Sequence, residues 1–200
     1  MRLARLARLA VLAVLAVLAV LALLALPAAR AAAQDMEVPV GTQVSVLLKV
    51  IGFDRQLPVR APTEVVIAIA FQGGSRASRV AMAEAHRGFA LARDGINGVP
   101  IRVETIDLDG ERLDVALRRL KPTFVYLTPL RAADIDAIVG ATRTARVTTM
   151  TGVARYVSRG VAVGVSLHDG RPRILVNLEA ARLEGADLAS ELLKLATIVK

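Results

Sequence analysis

Few residues in this chain have the type and spacing that chemistry requires. The histidines are His86, flanked by Ala85 and Arg87, and His168 in the stretch His168-Asp169-Gly170. Neither has a His, Cys or carboxylate partner at the spacing a metal site demands, so neither is read as a ligand. Ser75 in the stretch GGSRAS invites comparison with a nucleophile, but a nucleophile elbow needs G-x-S-x-G, which is absent here. A helix cap accounts for Ser75 better. Gly73-Gly74 forms neither a Walker loop nor a dinucleotide fingerprint. Asp107 and Asp109 end an apolar run and read as capping groups. No catalytic constellation and no cofactor follow from these residues, and the chain is read as non-enzymatic.

What remains is geometric, and it depends on the elements that must hold it. Thr63–Gln72 (TEVVIAIAFQ) is a continuous apolar run, the pattern of a strand buried on both faces. Ser75 caps a helix to about Ala92, with Met82, Ala85 and Phe89 on one face. Asp94–Pro100 is a turn. Ile101–Leu108 alternates apolar and polar residues, as a strand near a sheet edge would. Asp109-Gly110 then opens a short helix striped by Leu113, Ala116, Leu117 and Leu120. The rhythm repeats with a strand at Thr123–Leu127, a helix start at Thr128-Pro129, inward Ile135, Ile138 and Val139, and a stop at Gly140. Arg146–Gly152 is the next strand, and a helical turn follows at Val153–Ser158.

Beyond it the pattern changes. Two apolar runs flank His168–Pro172, and Asp-Gly between such runs signals a hairpin. A closing helix is expected on Leu188, Leu192, Leu195 and Val199. Thr42–Leu57 mixes β-branched residues with helical spacing and is read as an opening helix. Strands alternating with helices specify an α/β fold: a mostly parallel sheet, helices on both faces, and a C-terminal antiparallel hairpin. In such sheets ligands settle beyond the carboxyl ends of the strands. Gly74, Ser75, Thr128, Thr151 and Gly152 end strands or begin helices there, and free N–H groups at such positions can receive an anion. These five are the expected ligand- or partner-binding residues.

The N-terminus sets the compartment. Arg2, Arg5 and Arg8 precede an uninterrupted apolar stretch from Leu9 to Leu26, then Pro27 and the small residues Ala31–Ala33. This is the pattern of a secretory signal peptide over residues 1–33, cleaved after Ala33. Without cysteine, a lipid anchor is excluded. Removing 33 of 200 residues leaves 167, one domain of residues 34–200. Arg2, Arg5, Arg8 and Arg30 leave with the signal, so 22 of the 26 bases face 18 acids. The bases are scattered among the acids and aromatics are few, so no nucleic-acid partner is expected. With no disulfide available, the apolar core must hold the fold.

The closing stretch carries a family resemblance. RILVNL, then EAAR, then SELLKLATIV resembles the C-terminal signature of the YfiR/HmsC-like periplasmic family. QVSVLLKVIGFDR is similar to that family's opening helix, VVIAIAFQ to its first core strand, and TMTG with VAVGVSL to its later section. The resemblance runs from Gln43 to Lys200 and is structural in kind. It implies a non-enzymatic periplasmic regulator that contacts an inner-membrane signalling protein, such as a diguanylate cyclase, and so tunes cyclic-di-GMP and biofilm formation. A small-molecule ligand and a second copy of the chain stand beside it as further partners. Many relatives carry cysteine pairs for redox tuning, and this sequence has none. Their opening helix commonly ends in an EWP-like segment, where this one has FDRQLP. The competing readings are a small-molecule carrier serving a transporter, and a hydrolase for which no nucleophile–base pair is found.

Overall fold

The computed structural model describes residues 36–92, 94–131 and 135–200; the expected signal peptide and its expected cleavage after Ala33 lie outside them. Helix α1 (Val40–Gly52) forms where the opening reading placed it. Its buried stripe is Val40, Gln43, Val44, Leu47, Val50 and Ile51, a 3.6-residue repeat. A one-turn helix α2 (Leu57–Arg60) follows. Strand β1 (Val65–Phe71) lies between β2 (Ile101–Asp107) and β3 (Phe124–Leu127), all parallel, which is why its apolar run is unbroken. Strand β2 is an edge strand, and its half-exposed Arg102 and Glu104 explain the alternation in its sequence. Helix α3 (Arg76–Ala90) crosses from β1 to β2, and α4 (Leu113–Leu120) crosses from β2 to β3.

Next come α5 (Ile135–Ala145), β4 (Thr148–Thr151), the single turn α6 (Ala154–Val157), and the antiparallel pair β5 (Val163–His168) and β6 (Arg171–Asn177). The hairpin turn takes φ of 50° at Asp169 and 71° at Gly170, the left-handed pair that an Asp-Gly turn is suited to supply. Helices α7 (Leu178–Leu183) and α8 (Ser190–Leu193) lead to β7 (Thr197–Val199). The seven strands run β2-β1-β3-β4-β5-β6-β7. Alternate residues of each central strand feed two cores. Val65, Ile67, Ile69, Phe124 and Tyr126 pack with α1 and α3. Ala68, Ala70, Val125 and Leu127 pack with α4 and α5. The sheet is thus covered on both faces, as expected.

Three expectations need correction. The Leu-striped closing helix is instead a single turn and a strand: Leu188 and Leu192 are buried, but Leu195 is 67% exposed. The cause is the β-branched trio of Thr197, Ile198 and the flanking Val199, which completes a parallel ladder on the open edge of β6. Thr128-Pro129 does not start a helix; Thr128 to Leu130 are buried and non-helical, and the described helix begins at Ile135. Gly140 does not stop that helix, which runs on to Ala145. Interior glycine weakens a helix by only about 1 kcal/mol, and buried Ile138, Val139 and Thr142 outweigh that.

Leu192 remains core despite its short helix. Leu192→Ala is expected to destabilise the protein by about 2 kcal/mol, the low end for a buried leucine, because one exposed turn can relax into the space. Urea unfolding measures it, and a loss under about 0.5 kcal/mol would mean the site collapses without a cavity.

Candidate functional site

The carboxyl ends of β1, β3 and β4 are closed by their own side chains. Ser75 caps α3, its Oγ accepting from the Ser78 N–H at 3.5 Å. Thr128 Oγ1 donates to the Ala70 carbonyl at 3.0 Å. The Gln72 N–H donates to Ser78 Oγ at 2.9 Å. Ser78 Oγ and Thr128 Oγ1 lie 2.6 Å apart, and with the Thr128 proton committed to Ala70, the Ser78 hydroxyl is the donor between them. Gly74 is exposed, but its N–H donates to Asp109 Oδ2 at 2.7 Å, and the Gly73 N–H donates to Asp107 Oδ1 at 2.9 Å. The acidic pair thus occupies the N–H groups that an anion would have used, and the expectation of free N–H groups at this rim is not met.

Thr151 and Gly152 belong to a neighbouring network. Thr151 Oγ1 donates to the Leu127 carbonyl and accepts from the Val153 N–H, each at 3.0 Å. Gly152 is buried against Gln43 of α1; a Cβ there would meet the Gln43 amide at about 2 Å, so only glycine fits. Gln43 Nε2 donates to the Val38 carbonyl, and the Tyr126 hydroxyl donates to Gln43 Oε1, each at 2.6 Å. The structure therefore joins Ser75 to Thr128 through Ser78, holds Gly74 beside them on Asp109, and sets Thr151 and Gly152 in a neighbouring patch. Gln43, Ser78 and Tyr126 complete them and were not singled out from sequence. Gln43 could have been found as the one polar residue on the apolar stripe of α1.

Open space lies at the opposite, amino-terminal end of the strands. A cavity of about 760 Å³ opens between the C-terminal ends of α4 and α5, beneath Thr123 and Val147, which lead into β3 and β4. A second, of about 570 Å³, lies beside it between α2 and the α7–α8 connection. Arg60 and Arg146 line both. Arg60 is fixed: Nη1 bonds Asp54 Oδ2 at 2.8 Å, Nη2 donates to the Thr123 carbonyl at 3.0 Å, and the guanidinium stacks 5.5 Å from the Phe124 ring centroid. Burial pulls its pKa down, and the charge of Asp54 opposes that. Lys121 and Arg146, which follow α4 and α5, sit in left-handed conformation at φ 46° and 55°.

Close by, Glu184 is wholly buried at the end of α7. Its Oε2 accepts from the Thr149 N–H at 2.7 Å, and its Oε1 accepts from Thr142 Oγ1 at 3.0 Å. Burial pushes its pKa up to about 7, against the opposing effect of the Thr149 and Thr142 donors and the Arg143 charge. None of these charged residues was legible as a site from local spacing. No group of His, Cys, Asp or Glu among the described residues could hold a metal ion. No described helix is long and apolar enough to cross a membrane.

A seven-stranded, mostly parallel sheet with helices on both faces defines an α/β domain of the doubly wound type. Two solved structures share this arrangement. A conserved domain protein from Vibrio cholerae O1 biovar El Tor matches with a TM-score of 0.58 at 16% identity, over 81% of this chain and 60% of that one. The ABC domain in complex with L-Trp from Streptococcus pneumoniae matches with a TM-score of 0.55 at 12% identity, over 81% and 62%. This chain thus spans about three fifths of either structure, and the likeness is one of fold. The chain belongs to the YfiR/HmsC-like family, whose model matches residues 42–197. No curated protein matches it.

Proposed function

We propose that the protein is a non-enzymatic periplasmic regulator that restrains an inner-membrane signalling protein, such as a diguanylate cyclase, by contact with its periplasmic part. The observation that carries this reading is membership of the YfiR/HmsC-like family across nearly the whole described domain. The packing is consistent with it: the hydroxyls at the carboxyl ends of the strands are spent on backbone groups, which leaves a rigid surface rather than a reactive one. Deleting the gene should raise cyclic-di-GMP and surface attachment, and supplying the wild-type protein should reverse both. Unchanged cyclic-di-GMP in the deletion strain would sink the reading. A defect in solute uptake would favour the second reading, a carrier serving a transporter, for which the open cavities speak.

We place the partner contact at the rim that contains Gly74, Ser75, Thr128, Thr151 and Gly152. Gly74 is the one of the five that presents surface, and the other four are buried behind it. A Cβ at Gly74 meets only Asp109 Oδ2, at 3.2 Å, so Gly74→Trp should fold. It is expected to weaken capture of the partner from membranes by about tenfold, or 1.4 kcal/mol. Asp94→Ala, in an exposed turn, should bind like wild type. If both variants bind like wild type, the contact lies elsewhere, and the exposed Lys49 and Arg55 at the end of α1 are the next surface to change.

A further inference from the structure

We propose that the cavity between the ends of α4 and α5 is a binding site for a small organic carboxylate with an apolar body. The site stands on its own geometry and not on the identity of the membrane partner. About 760 Å³ falls within the range of small-molecule pockets, which are apolar with a few fixed polar groups. Leu117, Pro122, Ala141 and Val147 supply the apolar lining, and Arg60, Arg118, Lys121 and Arg146 supply charge.

The charges do not all count. Arg60 is offset by Asp54, and Arg118 by Asp114, a carboxylate it shares with Arg112 outside the lining. Lys121 and Arg146 have no salt-bridge partner among the described residues. Against these two cations stand the C-terminal ends of α4 and α5, each equivalent to about half a negative charge. About one positive charge is left over, which suits one carboxylate rather than a polyphosphate. Arg60 adds preorganisation, because Asp54, the Thr123 carbonyl and the Phe124 ring hold its guanidinium before anything binds.

Titration of the protein with phenylacetate, followed by amide NMR, tests this. Shifts at Lys121, Thr144 and Val147 should saturate with a Kd of about 1 mM or below. Phenylacetamide, which keeps the ring and lacks the charge, and acetate, which keeps the charge and lacks the ring, should each bind at least about tenfold more weakly. The double variant Lys121→Glu/Arg146→Glu changes two exposed side chains and should lose binding by a similar factor while unfolding at the wild-type temperature. The proposal is overturned if no saturable shift appears up to the order of 10 mM, or if the amide binds as well as the acid. It is overturned equally if the shifts map elsewhere, or if the folded double variant binds like wild type. Should that variant unfold, the comparison of acid with amide on the wild-type protein decides alone.

Discussion

Asp54→Ala is expected to lower the free energy of unfolding by about 3–5 kcal/mol, the range for removing one partner of a buried ion pair. The Asp54 side chain is 0% exposed and that of Arg60 15%. Its loss leaves the Arg60 guanidinium buried without a counter-charge. It also orphans two backbone donors, because Asp54 Oδ1 accepts from the N–H groups of Gln56 at 3.0 Å and Asp187 at 2.9 Å. Asp54→Asn keeps an acceptor and removes the charge, so about half the loss is expected. Urea denaturation of the three proteins separates these cases. A loss under about 1 kcal/mol for the alanine variant would show that water reaches Arg60 and replaces the carboxylate.

The second large effect is one of pH, and Glu184 sets its sign. Its folded-state pKa of about 7 lies above the ordinary 4.5. Between those values the folded protein holds a proton that the unfolded chain has released. Stability from this group is therefore present below about pH 4.5 and is lost as pH rises through about 7. At 1.36 kcal/mol per unit, the loss approaches about 3 kcal/mol between pH 4.5 and pH 8. Glu184→Gln keeps an oxygen for the Thr149 N–H and carries no charge, so the difference between wild type and variant isolates the titration. Unfolding free energies measured at pH 5, 6, 7 and 8 should diverge up to about pH 7 and level off by pH 8, with the glutamine protein flat throughout. Parallel curves would mean that Glu184 is ionised throughout.

Where the sequence was legible, a local pattern sufficed. The unbroken VVIAIAF run marks a strand with neighbours on both sides, IRVETID marks an edge, and the Asp-Gly of the β5–β6 turn supplies its left-handed pair. The Ser75 cap was legible for the same reason, since the hydroxyl and the N–H it serves are three residues apart. Thr128 misled because threonine before proline has the local form of a helix start, while its hydroxyl is claimed by Ala70, 58 residues away. The closing TIV segment became a strand because β6 offers an unpaired edge, which no local window contains. Asp54 and Asp187, and Thr149 and Glu184, meet across 133 and 35 residues. Their charges look like ordinary solvated ones until the chain folds back. That the donors at the strand ends are already satisfied follows only from the side chains that close over them.

The early helices are fastened to the end of the chain. Besides the 133-residue span from Asp54 to Asp187, Glu37 accepts from the Leu167 N–H at 3.1 Å across 130 residues. Closing a loop of that length costs about 4 kcal/mol of chain entropy before the contacts reward it. Helix α1 meets α3 first, and its seat is completed only when β5 and β6 arrive. During synthesis its apolar stripe of Val44, Leu47 and Ile51 has no complete surface to cover until β5 and β6 emerge. A chain that stops short of β5 and β6 leaves part of that stripe uncovered, the kind of exposed apolar surface that holding chaperones recognise.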